Sequence, residues 1–315
     1  MTRLLLFTVG IIFSFPAIAQ FPSKPVHIIV PYTPGGGTDI ISRALAAGMQ
    51  ESWKQQVLVE NRPGANGIIG TEVMVKSPAD GYTLAAVVGA HVVNAVLQAK
   101  MPFDPIADTT AVSLLATSPW VIGVFPGVPA QNLRELIAYA KANPGKLRFG
   151  SSESSSRLAG EQFKQAAGVD LVHVPYKGGA QIVQDMLGGH IEVGFTSVLT
   201  FLPHYKSGKI RILAVGGKAR AGAMPDVPTA AEAGLSGYET YVWYGMYAPK
   251  GTPGDVVGRI QQEIARLVRL PEFAERFAAL GADAVASTPE EFAAFTRAEY
   301  EKFARLVKSA GIQPE

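Results

Sequence analysis

The chain has 315 residues, 28 Lys and Arg against 26 Asp and Glu for a net charge of +2, and no cysteine. That balance gives no case for nucleic acid, which needs a basic patch. The missing cysteine removes disulfides, thiolate catalysis and a cysteine-linked lipid anchor, while the length suggests two lobes held by core burial alone.

Arg3, the apolar run Leu4–Phe15 and Ala17-Ile18-Ala19 read as a secretory signal cleaved before Gln20. The run is shorter than the ~18 residues of a membrane span. Residues 1–19 are therefore expected to be removed and the mature chain to be periplasmic.

Val26–Val30 reads as a buried strand. Gly35-Gly36-Gly37 follow, then an amphipathic helix carrying Ile40, Ile41, Ala44, Leu45 and Met49 on one face. A short strand is expected at Val57–Val59, a helix over Gly67–Lys76 and a strand over Tyr82–Gly89. Leu114–Phe125 reads as extended chain. Asn132 caps a helix through Ala142 that Asn143-Pro144-Gly145 stops. Leu147–Gly150 is a strand, and Leu158, Ala159, Gln162, Phe163 and Ala166 follow helical spacing. Val169–Val174, Ile191–Phe195 and Ile210–Val215 are further strands with helices between. Thr252-Pro253 and Thr288-Pro289 each start a helix, with Thr as N-cap and Pro at the first helical position. Glu291 completes a capping box on Thr288. Alternating strands and helices predict α/β lobes with mostly parallel sheets and crossing strands as the hinge.

In open α/β sheets ligands sit beyond the carboxyl ends of strands. Five such ends carry small or polar residues. Tyr32, Gly35, Gly36, Gly37, Thr38 and Asp39 form the first, where exposed N–H groups at a helix start favour an anion. The triple glycine predicts φ > 0 there, disfavouring a β-branched residue at Gly36 or Gly37. The spacing is neither G-x-G-x-x-G nor a P-loop, and Asp39 is expected to cap the helix or bond the turn. Ala90 and His91 form the second end. Ser151, Ser152 and Ser156 lie in the third, GSSESSS. Tyr176, Gly179 and Ala180 form the fourth, and Thr196 and Ser197 the fifth. Arg157 and Lys177 lie beside these loops, where each could be solvated or pair with a ligand carboxylate. The five histidines show no metal spacing, and no G-x-S-x-G elbow occurs. No catalytic residue, metal or cofactor is expected.

With these residues assembled, the chain resembles the substrate-binding proteins of tripartite tricarboxylate transporters, the Bug or TctC family. The resemblance rests on Pro25-Val26…Val30-Pro31-Tyr32…Pro34-Gly35-Gly36…Asp39, Val59-Glu60-Asn61-Arg62-Pro63-Gly64-Ala65…Gly67 and Asp80-Gly81-Tyr82-Thr83-Leu84. It continues through Val174-Pro175-Tyr176-Lys177-Gly178, Leu187-Gly188-Gly189, Pro225-Asp226-Val227-Pro228-Thr229 and Ala248-Pro249-Lys250-Gly251-Thr252-Pro253. It implies a two-lobed periplasmic binding protein of the Venus-flytrap type. Such proteins close on a small carboxylated solute, with loop backbone, hydroxyls and water as contacts, and deliver it to membrane transporter subunits. By the same resemblance Tyr32–Asp39 is the first-lobe carboxylate loop, Gly150–Ser156 the second-lobe loop and Tyr176–Ala180 its neighbour. The second-lobe loop departs from the family pattern: Glu153 and Ser155 stand where glycines are common, and Arg157 replaces a histidine.

The expected function is capture of a di- or tricarboxylate, amino acid or aromatic acid for a tripartite transporter, by a monomer. The expected lobes are residues 20–122 with 230–315, and residues 123–229. A receptor presenting its ligand to a sensor kinase is the alternative. A hydrolase or isomerase using His91 or Asp39 as base is a third reading.

Overall fold

The computed structural model describes residues 21–279 and 281–309; the expected signal segment lies outside the described residues. In chain order the elements are β1 (Val26–Val30), α1 (Gly37–Trp53), β2 (Val57–Asn61), α2 (Ile68–Val75), β3 (Thr83–Val87), α3 (Ala90–Leu97) and β4 (Thr109–Val124). Next come α4 (Leu133–Ala142), β5 (Arg148–Ser151), α5 (Ser154–Ala167), β6 (Val172–Pro175), α6 (Gly179–Leu187), β7 (Val193–Ser197), α7 (Val198–Lys206) and β8 (Arg211–Val215). The chain ends with β9 (Tyr241–Pro249), α8 (Gly254–Val268), α9 (Pro271–Ala279), β10 (Asp283–Ala284) and α10 (Pro289–Ser309).

The strands lie in the order β2-β1-β3-β9-β4-β7-β5-β6, with β8 and β10 also on β4. β2, β1 and β3 are parallel, as are β7, β5 and β6. The strands between them, β9 and β4, run antiparallel to their neighbours. Parallel pairs need helical crossovers, so helices cover both faces of each half, and the strands read as unbroken apolar runs.

β4 is continuous through both halves. Thr109–Pro119 pairs with β9, whereas Trp120–Val124 pairs with β7 and β8. Proline, which lacks an N–H, sits where the partner changes. Three segments are laced at this point: Trp120 N–H donates to Thr240 O (3.3 Å), Gly216 N–H to Trp120 O (2.7 Å) and Thr240 N–H to Gly216 O (2.8 Å). These are the crossing strands that join two α/β lobes.

Alternation along β1 splits the first lobe's core. Ile28 and Val30 face α1 and α8 with Ile41, Leu45, Met49 and Ile260, while Ile29 faces the other layer with Met74, Val92, Trp243 and Phe292. The second lobe divides likewise, Ile122 joining Phe149, Phe163 and Phe195, and Val121 joining Ile182, Met186 and Phe201. Ala230, Leu235 and Tyr238 pack into the Phe149–Phe163–Phe195 core. The segment's apolar side chains thus share a core with β5, α5 and β7.

Two expected helix starts diverge. Thr288 accepts from Glu291 N–H (3.2 Å) and Glu291 accepts from Thr288 N–H (2.9 Å), a reciprocal box. Thr252 is not a cap: its hydroxyl turns back to Pro249 O (2.8 Å), and α8 begins at Gly254.

Candidate functional site

The amino ends of three helices meet where the lobes face each other. α1 begins after Gly36, α6 after Gly178 and α7 after Ser197. Each leaves N–H groups without helical partners and the positive end of a dipole. Around them lies a small cavity of about 30 Å³, lined by Tyr32, Gly36, Gly37, Thr38, Val88, Trp120, Ser152, Glu153, Gly178, Gly179, Thr196, Ser197, Thr200, Val242 and Tyr244. It has room for about two waters at most. The lobes touch around it: Thr33 N–H reaches Lys177 O (3.4 Å) and Ser154 Oγ donates to Asn94 Oδ1 (2.7 Å).

The first loop is braced by Asp39. Asp39 is buried, at 4% exposure, and accepts from Gly35 N–H (3.0 Å), Asn61 Nδ2 (3.0 Å) and Arg43 Nε (3.1 Å). Burial alone would raise its carboxyl, but these bonds outweigh it and hold the group below the usual range. Asp39 thus shapes the turn rather than facing the cavity. Of the three glycines only Gly35 has positive φ (82°); Gly36 is extended at φ −79° and Gly37 opens the helix. The expected φ constraint therefore fails at Gly36 and Gly37. At Gly37 close approach replaces it: a Cβ there would collide with the Tyr244 hydroxyl and lie 2.9 Å from Ser197 Oγ.

On the second lobe, α5 is capped by Glu153, which is 4% exposed. Its Oε2 accepts from Ser155 N–H and Ser155 Oγ, both at 2.7 Å, and its Oε1 from Ser156 N–H at 3.2 Å. Burial pushes this carboxyl up, against the pull of those bonds. Burial also raises the Tyr32 and Tyr244 hydroxyls, and the nearby Glu153 charge adds to both.

The expected residues divide. Tyr32, Gly36, Gly37, Thr38, Ser152, Gly179, Thr196 and Ser197 line the small cavity. Gly35 and Ala180 meet across the lobes at its rim, a Cβ on Gly35 lying 3.7 Å from Ala180 Cβ. Ser156 is spent on its own turn, accepting from Ser152 N–H (2.9 Å) and donating to Glu153 O (2.9 Å). Ser151 bonds His173 (2.7 Å) and lines a neighbouring cavity of about 330 Å³ together with Glu153 and Arg157. The Tyr176 hydroxyl donates to Asp185 (2.6 Å), away from the small cavity. Ala90 and His91 do not line it either. His91 Nε2 bonds Pro105 O (2.9 Å), its ring packs on Tyr247, and burial lowers its pKa to about 4. Strand β3 carries the second loop end past the cavity into the core. Neither group considered as a base, His91 or Asp39, lines the cavity.

Five lining residues lie outside the expected loops: Val88, Trp120, Thr200, Val242 and Tyr244; Glu153 and Gly178 belong to the expected second-lobe loop and its neighbour. Thr200 was findable, in the first turn of α7 three residues after Ser197, whose hydroxyl lies 3.2 Å from its own. Trp120, Val242 and Tyr244 arrive on the crossing strands and carry no local signal.

Among the described residues no Lys or Arg lines this cavity, and no group of three or more His, Asp or Glu could hold a metal ion. The arrangement suits an anion held by backbone N–H groups and hydroxyls. A larger cavity of about 560 Å³ lies behind the crossing strands, between Pro119, Gly216–Gly222 and Tyr241. None of those three helices begins there; its charged lining residues are Lys218, Arg220, Glu239 and Asp283. No helix among the described residues is long and apolar enough to cross a membrane.

Residues 41–312 match the model of the tripartite tricarboxylate transporter family receptor. Protein BugT of Bordetella pertussis is 35% identical over 99% of this chain and 99% of its own length. Among solved structures, an R. palustris protein with adipate is 33% identical at a TM-score of 0.91, covering 94% of this chain and all of that one. MatC from Rhodopseudomonas palustris with bound malate is 27% identical at a TM-score of 0.86, covering 91% and 100%. The chain therefore belongs to the tripartite tricarboxylate transporter receptors, the TctC or Bug family of periplasmic solute-binding proteins.

Proposed function

We propose that this protein, exported and cleaved after Ala19, captures a small carboxylated solute and delivers it to the membrane subunits of a tripartite-type transporter. It acts as a monomer, without catalysis, metal or cofactor. The observation that carries the reading is the convergence of the α1, α6 and α7 amino termini on one interlobe cavity. The adipate and malate in the two solved relatives support a carboxylate as the anion. The lobes are residues 21–119 with 241–309, and 120–240, a division supported by the change of strand partner at Trp120. Within the cavity, Gly37, Thr38, Gly179 and Ser197 are the residues proposed to hold the carboxylate, with Tyr32 and Tyr244 closing its sides.

Thermal unfolding and calorimetry against a panel of mono-, di- and tricarboxylates test the reading. A bound solute at a hundredfold excess over Kd stabilises the fold by about 2.7 kcal/mol. If no carboxylate shifts the Tm of protein refolded from denaturant to strip its ligand, the proposal is lost.

A further inference from the structure

Glu153 is the charged side chain among the residues lining the small cavity. It is also the cap of α5. Its carboxyl takes the N–H groups of Ser155 and Ser156, while Ser156 Oγ takes those of Ser152 and Glu153. Four amides of the second-lobe loop are thus satisfied from within the loop. A helix start that would otherwise present N–H groups to a solute presents a carboxyl group instead.

The cavity is consequently two-ended. One wall holds the amino termini of α1, α6 and α7, three positive ends with no cationic side chain among the lining residues. The other holds Glu153, with Tyr32 and Tyr244 close enough to feel its charge. A carboxylate buried at the first wall finds unspent donors. A second carboxylate at the other wall finds the loop's amides consumed and a like-charged group buried beside it, where water screens little. Adipate and malate, held by the two solved relatives, each carry two carboxylates.

Building on the receptor reading, we propose that Glu153 is a built-in carboxylate that fills the α5 anion position and restricts the cavity to solutes with a single carboxylate and an uncharged remainder. The chain supplies for itself the group that a dicarboxylate would bring. Consumption of the amides does not depend on the charge of Glu153, since a neutral carboxyl still accepts from Ser155 and Ser156.

The test compares acids of equal length, butanoate with succinate and hexanoate with adipate, by calorimetry at neutral pH. The proteins are the wild type, Glu153→Gly and Glu153→Gln, each checked for fold by circular dichroism. The wild type is expected to bind the monocarboxylate of a pair at least tenfold more tightly. Glu153→Gly frees the Ser155 and Ser156 amides and removes the charge, and is expected to reverse the preference by at least tenfold. Glu153→Gln removes the charge but keeps an acceptor at the cap, and should fall between. A wild type that prefers the diacid, or a folded Glu153→Gly with an unchanged preference, overturns the Glu153 proposal and leaves the receptor reading standing. Should the glycine variant not fold, Glu153→Ala, which also removes the cap acceptor, takes its place, and an unchanged preference there overturns the proposal equally. If none of the three proteins binds any of the four acids or any carboxylate of the wider panel, the receptor reading fails and this proposal with it.

Discussion

Two neighbouring glycines should behave differently. At Gly36 a Cβ would meet only Thr33 O at 3.7 Å and Gly179 N at 3.9 Å, ordinary contacts, and its backbone is extended. At Gly37 the same Cβ would strike Tyr244 and Ser197 where α1 and α7 meet. Charge-assisted hydrogen bonds contribute roughly 1.5–3 kcal/mol each, so displacing two lowers affinity by about two to four decades at 1.4 kcal/mol per decade. Gly37→Ala is expected to lose at least a hundredfold in affinity while Gly36→Ala loses less than tenfold. Titration of both, with circular dichroism as the fold control, checks this; equal losses would show that the loop only turns the chain. His91 gives a separate pH signature. Burial keeps it neutral in the fold down to about pH 4, whereas it protonates near 6.5 when unfolded. The unfolded state therefore binds the proton first, and stability is lost as pH falls from about 6.5 to 4. The loss reaches about 3 kcal/mol at 1.36 kcal/mol per unit. Urea unfolding at pH 7, 5.5 and 4 should show that loss in the wild type relative to His91→Phe; parallel curves would refute it.

At the scale of elements, local chemistry explains the starts of several helices. Asn132 Oδ1 accepts from Glu135 N–H (3.0 Å), and Glu135 returns to Gln131 N–H (2.6 Å). This cap lies outside the cavity, so Asn132→Ala is expected to cost about 1 kcal/mol of stability and leave solute affinity unchanged. Denaturant unfolding beside titration measures both, and a change in affinity would contradict it. The Asn132 cap and the Thr288–Glu291 box were legible because a cap is read from residues three apart. β9 was not. Its sequence, YVWYGMYAP, is buried on both faces and interrupted by Gly245, so it shows no alternation to mark it. Gly245 is there because Phe292 of α10 occupies the space of its side chain, a constraint set nearly fifty residues away in sequence. Thr252 misled for the converse reason. A Thr-Pro pair also suits a hydroxyl turned back to a preceding carbonyl, and the end of β9 placed Pro249 O within reach.

For the whole molecule, the consequence of a cavity of about 30 Å³ is that the lobes must part to admit a solute. Gly35 and Ala180 offer a lock across the rim: a Cβ on Gly35 would lie 3.7 Å from that of Ala180, inside the range of a disulfide, at the cost of the strain a side chain meets at φ 82°. The natural chain has no cysteine to interfere. The double substitution Gly35→Cys with Ala180→Cys, oxidised, is expected to slow solute association at least tenfold, with recovery on reduction. Stopped-flow binding under both conditions checks it; association unaffected by the oxidised bond would mean that the solute reaches its site without opening. Small-angle scattering provides an independent reading, a smaller radius of gyration on adding a bound carboxylate. A profile unchanged at saturation would exclude hinge closure.

Local and short-range information determined much of this protein from sequence alone. The α/β alternation, the Gly-rich first loop, the second-lobe serine loop and the family resemblance all rest on residues a few positions apart, where dihedral preference and hydrogen-bond reach act directly. The tertiary structure decided which loops face the cavity. Asp39 is tied to Arg43 on its own helix and to Asn61 on β2, and His91 is held in the core by Pro105 and Tyr247. Tyr244 and Trp120 enter on antiparallel strands whose pairing joins segments over a hundred residues apart in sequence, and no local pattern encodes that pairing because its energy comes from burial shared between distant chains of the sheet. Glu153 stands between the two cases. Its identity was visible as a departure from the family loop, but only the fold shows its carboxyl turned onto its own helix and buried at the wall of the small cavity.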